Sequence, residues 1–306
     1  MAEVRHLLGV DDLDDSAIRA LIDRALALGH GAPVHALDAS VANLFFEPST
    51  RTRVSFELAA RRLSIRVINI ELERSSSIKG ETLEDTVATL GAMGLDCVVL
   101  RHPQTGRVAE LARAFPEGPT LLNGGDGSGE HPSQALLDAA TLEAIGLRWS
   151  ESTIAVIGDI RHSRVARSGL KLFARLGAGC LRVAGPPELM PDRLDAPAVE
   201  RCRSLEEAVR GADVVMMLRV QRERMDAAGW PAEQDYHPVW GLRREHLGLT
   251  AKGCRVMHPG PLNRGVEITS EVADGPQSLI LEQVRMGVHL RTALFEWLLD
   301  GRRALG

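Results

Sequence analysis

Short β-branched apolar runs alternate along this chain with longer stretches in which apolar residues recur every three or four positions. The first long stretch, DDLDDSAIRALIDRALALG, places Leu13, Ile18, Leu21, Ile22, Ala25 and Leu28 on one helical face. The runs VANLFF (41–46), IRVINI (65–70), DCVVL (96–100), TLLN (120–123), TIAVIG (153–158), CLRVAG (180–185), DVVMML (213–218) and CRVMH (254–258) predict strands. They are rich in Val and Ile and mostly too short for helices. Between them RVSFELAARRL, ETLEDTVATLGAM, SQALLDAATLEAIG and VARSGLKLFARLG read as helices. This order of βα units predicts an α/β protein whose parallel sheets are covered by helices.

A length of 306 residues exceeds the usual single-core size and predicts two domains. The break falls around 142–152, where EAIGLRWSESTIAVIG leaves a helix, crosses polar residues and opens a fresh βα series. The expected domains are residues 1–144 and 145–284, with a last helix, QVRMGVHLRTALFEWLLDG, bringing 285–306 back onto the first. The expected fold is two doubly wound domains, each a parallel sheet flanked by helices, with an active site in the cleft between them.

Composition narrows the class. The chain is 44% hydrophobic and 25% charged, and no apolar run approaches the roughly 20 residues of a membrane span. Its start, MAEVRHLLGVDDLDD, shows no signal-type apolar core, so a cytoplasmic globular protein with no membrane partner is expected. Cys97, Cys180, Cys202 and Cys254 are widely spaced with no CxxC pair, which predicts reduced, mostly buried thiols and no metal motif. A net charge of −5 argues against a nucleic-acid surface, so any basic site is local.

In open α/β sheets ligands bind beyond the carboxyl ends of the strands. The segments there are EPSTRTR after VANLFF, ELERSSSIKGET after IRVINI, RHPQTG after DCVVL and GGDGSGEHPSQ after TLLN. DIRHSR, RVQRER and PGPLNRG follow the later strands TIAVIG, DVVMML and CRVMH. They gather Arg, Lys, Ser, Thr, His and Gln with few carboxylates, which predicts a substrate that is anionic at several points. Ser49 or Thr50 can cap the helix that follows, whose free N–H groups and positive dipole end suit an anion. Hydroxyls of Ser49, Thr50 and Thr52 and the fork of Arg51 fit tetrahedral phosphate, while Arg53 points elsewhere. Lys79, beside Ser75, reads as a phosphate hook on a mobile loop or as a solvated surface lysine. Arg101 stands where a buried strand ends. His131 and Gln134, three residues apart at a helix start, suit a carbonyl and an amide. Arg164, Arg219 and Gln221 suit a substrate with two carboxylates. TIAVIGDIRHSR lacks the GxGxxG of a dinucleotide fold, and neither GxxxxGK[ST] nor GxSxG occurs. MDAAGWPAEQDYHPVWG (225–241), dense in Gly, Pro and aromatics, is expected to be a long loop that closes over substrate, or a structural surface loop.

FEPSTRTRVSFE, SSSIKGETLEDT, LRHPQ, GDGSGEHPSQALLD, GDIRHSRVARS, RVQRER and HPGPLNRG occur in the order and spacing of aspartate carbamoyltransferase catalytic chains, and the chain resembles that family over nearly its whole length. An ornithine-type chain would show SMG and HCLP stretches, and neither is present. The resemblance implies carbamoyl transfer from carbamoyl phosphate to L-aspartate with neither metal nor organic cofactor, residues 1–144 binding carbamoyl phosphate and 145–284 L-aspartate. It implies Ser49, Thr50, Arg51 and Thr52 on the phosphate, with Ser75 also at the carbamoyl phosphate. Arg101 would reach phosphate and carbonyl oxygen, His131 the carbonyl oxygen and Gln134 the carbamoyl NH2. Backbone carbonyls at Pro259 and Gly260, in a turn fixed by Pro261, would orient the carbamoyl nitrogen. Lys79, Arg164, Arg219 and Gln221 would hold L-aspartate. It further implies a homotrimer in which Ser75 and Lys79 enter a neighbour's site, and leaves open a higher assembly with a regulatory chain or a dihydroorotase.

Overall fold

The structure is a computed structural model that describes residues 6–70, 81–221 and 233–300. The chain forms two compact units, Met1–Ala140 with Val284–Gly306, and Thr141–Gln283. They part inside a continuous helix, a little before the boundary expected after residue 144.

The first unit runs α1 (Asp15–Gly29), β1 (Ser40–Phe45), α2 (Thr50–Arg62), β2 (Arg66–Ile70), α3 (Leu83–Ala92), β3 (Cys97–His102), α4 (Arg107–Ala114), β4 (Thr120–Asp126) and most of α5 (Pro132–Ala144). Asp14 starts α1 by accepting the Ala17 N–H at 2.7 Å, and Thr82 starts α3 through Asp85 N–H. The strands form one parallel sheet in the order β2-β1-β3-β4. Ala42, Leu44, Val98, Leu100 and Leu121 on one face pack against Leu83 and Val87 of α3 and Val108, Leu111 and Ala112 of α4. With both sides of a parallel sheet covered, these strands read as continuous apolar runs rather than alternating ones.

The second unit runs β5 (Thr153–Ile157), α6 (Arg164–Arg175), β6 (Cys180–Ala184), β7 (Val199–Arg201), α7 (Leu205–Val209), β8 (Val214–Met217), α8 (Glu233–Trp240), α9 (Arg244–Leu247), β9 (Arg255–Met257) and α10 (Ser270–Ala273). Its sheet is parallel in the order β7-β6-β5-β8-β9. Ile157, Val215, Met217 and Val256 share a core with Leu205, Val209, Tyr236 and Leu242. From there α11 (Ile280–Leu299) returns the chain to the first unit, where Phe295 meets Phe56 edge-on at 5.8 Å and Glu296 pairs with Arg24 at 2.7 Å.

Three elements differ from the sequence reading. α2 starts at Thr50 rather than Arg53, which puts Arg51 and Thr52 in its first turn. β7 was not foreseen; it is a three-residue, largely exposed strand with one apolar residue. Residues 233–240 of the expected loop form α8, with Tyr236 fully buried and Trp240 8% exposed. A closing loop is therefore corrected to a core-anchored helix over that part, while 225–232 lie outside the described residues. Cys97 and Cys254 are buried and Cys180 and Cys202 half-buried, all four as free thiols. Among the described residues no helix is long and apolar enough to cross a membrane.

Candidate active site

Each sheet reverses its strand order once, and a reversal opens a crevice at the carboxyl ends of the two strands that flank it. In the first unit those strands are β1 and β3, and in the second β5 and β8. The chemistry read from the sequence falls at both places.

Behind β1, Glu47 and Pro48 lead to Ser49, the N-cap of α2, whose side chain makes no capping bond. This corrects the expected hydroxyl cap. The N–H groups of Thr50, Arg51 and Thr52 lack partners within α2 by the geometry of a first turn, and the positive dipole end adds to them. Thr52 is 7% exposed, whereas Arg51 and Arg53 stand out to solvent. Beside them, Arg101 at the end of β3 is held on two sides: Nη1 donates to Gly124 O at 3.1 Å and Nε lies 3.4 Å from Glu47 Oε2. The β3–β4 register slips by one residue there, pairing Leu100 with Asn123 but His102 with Asp126. Such a bulge bends the ladder and re-aims side chains where pairing ends.

The segment after β4 is built around Asp126. Its carboxylate accepts the N–H groups of Gly106 at 2.7 Å and Glu130 at 2.8 Å, which fixes the approach to His131. His131 is 3% exposed, and its carbonyl oxygen accepts Gln134 N–H at 2.9 Å, which opens the first turn of α5. Ser75 and Lys79 lie outside the described residues.

In the second unit Gly158 follows β5 at φ 130, and a Cβ there would come within 2.9 Å of Leu218 O, so only glycine lets the two strand ends approach this closely. Asp159, fully buried, accepts the His162 N–H at 3.1 Å and faces His162 Nδ1 at 2.9 Å. Burial raises its carboxyl above the ordinary aspartate range, against the pull of His162 and of hydrogen bonds from the His162 and Gln221 backbones. Asp159 thus ties the loop after β5 to the loop after β8. Gln221 closes the tie from its side, donating Nε2 to His162 O at 3.1 Å. Arg164, 6% exposed, opens α6 just behind the Ser163 cap, and Arg219 is half-buried after β8.

The third segment of this unit follows β9. His258 is 1% exposed; its Nδ1 accepts Gly260 N–H at 2.8 Å, which leaves the proton on Nε2, 3.1 Å from Glu267 Oε1. Glu267 Oε1 also accepts Asn263 N–H at 2.6 Å. A neutral ring and a fully buried carboxylate therefore pin the turn Pro259-Gly260-Pro261 from below. Gly260 has φ 68, a left-handed value that suits glycine. Glu47, Asp126, Asp159, His258 and Glu267 escaped the sequence reading, which looked for groups that face an anion. These five face inward and brace the segments that carry the expected groups.

Comparison with known proteins gives concordant results. Residues 5–144 match the family model described as "Aspartate/ornithine carbamoyltransferase, carbamoyl-P binding domain", and residues 150–298 the one described as "Aspartate/ornithine carbamoyltransferase, Asp/Orn binding domain". The chain is 47% identical to the aspartate carbamoyltransferase catalytic subunit of Xanthomonas campestris pv. campestris (strain B100), over 97% of this chain and 96% of that one. Among solved structures it resembles the aspartate transcarbamoylase of Trypanosoma cruzi in complex with carbamoyl phosphate and aspartate, with TM-score 0.85, 32% identity and 96% of each chain covered. It also resembles the ornithine carbamoyltransferase of Pyrococcus furiosus, with TM-score 0.86, 25% identity and 98% of each chain covered.

Proposed function

Because the chain belongs to the aspartate/ornithine carbamoyltransferase family, we infer that it transfers the carbamoyl group of carbamoyl phosphate to the amine of L-aspartate. The products are N-carbamoyl-L-aspartate and phosphate, and the reaction is the committed step of de novo pyrimidine biosynthesis. The observation that carries the aspartate branch is the 47% identity over nearly the full length to a catalytic subunit of that specificity. The chemistry of the second unit agrees: Arg164 and Arg219 with Gln221 suit two carboxylates, whereas the side-chain amine of ornithine would call for an acidic or neutral pocket.

On this reading the first turn of α2, with Ser49, Thr50, Arg51 and Thr52, holds the phosphate. Arg101 spans phosphate and carbonyl oxygen, and His131 and Thr52 add donors to that oxygen. Attack by the amine on the carbonyl carbon puts negative charge on the oxygen, and donors held in place by Glu47, Gly124 and the Asp126 loop need no reorganisation to meet it. The C–O bond to phosphate then breaks, and the phosphate remains beside Arg51. Gln134 accepts from the carbamoyl NH2, together with the carbonyls of Pro259 and Gly260 in the turn that includes Pro261. Positioning both substrates supplies roughly 7–11 kcal/mol of the barrier without a covalent intermediate. The leaving phosphate accepts the amine proton.

The assembly belongs to the same reading: a homotrimer in which Ser75 and Lys79 of one subunit complete a neighbour's site, Lys79 helping to hold L-aspartate. Purified protein given carbamoyl phosphate with L-aspartate or with L-ornithine tests the specificity; no carbamoylated product from aspartate overturns it. The shared site is tested by mixing an Arg51→Ala protein with a Lys79→Ala protein, each nearly inactive. Activity returns on subunit exchange if sites are shared, and stays absent after demonstrated exchange if they are not.

A further inference from the structure

One buried cluster of the first unit lies behind Gln134 on α5. Gln134, 8% exposed, donates Nε2 to Asp138 Oδ1 at 2.9 Å, one turn further along α5, and Asp138 is 0% exposed. A carboxylate oxygen only accepts, so the contact fixes the hand of the amide. Its NH2 faces Asp138 and its Oε1 occupies the opposite branch. Arg291, on α11, feels the charge of Asp138. Burial lowers the pKa of Arg291 to about 10, and the charge of Asp138 opposes that fall. Arg291 donates to Gly287 O at 3.3 Å and to Ser133 Oγ at 3.4 Å, and sits 4.8 Å above the centre of the Phe56 ring. Such a cation is fixed by its surroundings, and its charge acts on Asp138.

We propose that Asp138 is a positioning residue that sets the choice of acyl group: it turns the Gln134 amide so that Oε1 accepts an N–H, and the site thereby prefers a carbamoyl to an acetyl group of the same shape. The proposal rests on the reading of Gln134 as the carbamoyl NH2 acceptor. A methyl group offers that oxygen no proton, and burying the oxygen unpaired weakens binding by about tenfold to hundredfold. Without a fixed hand the amide presents NH2 as readily as oxygen, and the distinction fades.

The experiment compares the wild-type protein with Asp138→Asn, whose side chain accepts or donates in nearly the same volume. For each, kcat/KM is measured for carbamoyl phosphate, and the competitive inhibition constant for acetyl phosphate. The expected result is a loss of about tenfold to hundredfold in kcat/KM with the acetyl phosphate constant changed less than about twofold. Equal weakening of both would make Asp138 purely structural and overturn the proposal, as would an unchanged ratio. In a Gln134→Leu protein the ratio is already lost, and adding Asp138→Asn should not move it further; a further change overturns the proposal. If Asp138→Asn does not fold, the Gln134 side-chain NH2 resonances of the wild-type protein, assigned by their loss in Gln134→Leu, decide. Slow hydrogen exchange there supports the contact, and exchange at the rate of an exposed amide overturns it. A wild-type protein that makes no carbamoyl-aspartate refutes the functional reading, whereas an active one with an unmoved ratio refutes this proposal alone.

Discussion

Replacing His258 by Phe keeps a ring of similar volume beneath the Pro259-Gly260-Pro261 turn but removes both of its nitrogens. Gly260 N–H loses an acceptor at 2.8 Å, and Glu267 loses a donor at 3.1 Å in a place where both side chains are 0% exposed. Removing the donor from a buried carboxylate costs about 3 kcal/mol, the upper end for an orphaned buried acceptor, because the remaining charge stays out of water. Adding Glu267→Gln takes that charge away, while the amide oxygen still accepts the Asn263 N–H. What remains is chiefly one unpaired N–H at half-buried Gly260, worth about 1–3 kcal/mol. The Gly260 loss is common to both variants, so the double variant should be more stable than His258→Phe alone by the Glu267 contribution, about 3 kcal/mol. Equilibrium urea unfolding followed by tryptophan fluorescence measures this, with His258→Phe, Glu267→Gln and the pair compared by linear extrapolation. A double variant as unstable as His258→Phe, or less stable, would refute the argument that the cost lies in an orphaned charge.

Arg101→Met should lower kcat by about 10²–10³ in steady-state assays, the cost of one oxyanion donor, with the unfolding midpoint little changed. Arg219→Ala should raise KM for L-aspartate while leaving carbamoyl phosphate binding near its wild-type value, a split visible by titrating each substrate separately. Phe56→Ala should cost about 3–5 kcal/mol in urea unfolding, since the ring is 1% exposed and lies against both Phe295 and Arg291. Asp159 predicts a pH dependence. Its folded pKa is raised by burial, so the folded protein keeps a proton that the unfolded chain releases. The stability it contributes is present below the ordinary aspartate pKa and falls as pH rises through the raised value. Asp159→Asn should flatten the slope of unfolding free energy against pH in that window, and an unchanged slope would assign it to other groups.

Strands buried on both faces announce themselves as β-branched runs, and every run read as a strand is one in the structure. β7 gave no such run, because an exposed edge of three residues buries too little to need one. α8 was hidden by its composition: Pro238 and the nearby Gly and Trp residues signal a loop, yet burial of Tyr236 and Trp240 outweighs the propensity cost. The start of α2 was misplaced by three residues because Ser-Thr-Arg-Thr reads as loop, and helix ends are the least marked part of a helix. The candidate site divides along the same line. Arg51, Arg101, His131 and Arg219 were legible, since polar residues directly behind apolar strands have little reason to be there except to meet a ligand. Asp138, Arg291 and Glu267 were not, since what matters is whom they face, and Ser133 and Arg291 are 158 positions apart.

The return of α11 has a consequence for how the protein is made. A ribosome delivers α1 to α5 first, then the whole second unit, and only afterwards Phe295, Glu296 and Arg291, which Phe56, Arg24 and Asp138 await. The later-made unit is thus free to finish folding while the earlier one still waits for its last helix, with Phe56 uncovered and Asp138 without its counter-charge. A nascent chain stopped at Gln283 should hold a protease-resistant core over residues 141–283 behind a labile N-terminal flank, and the cell's chaperones would meet this protein by its beginning rather than its end.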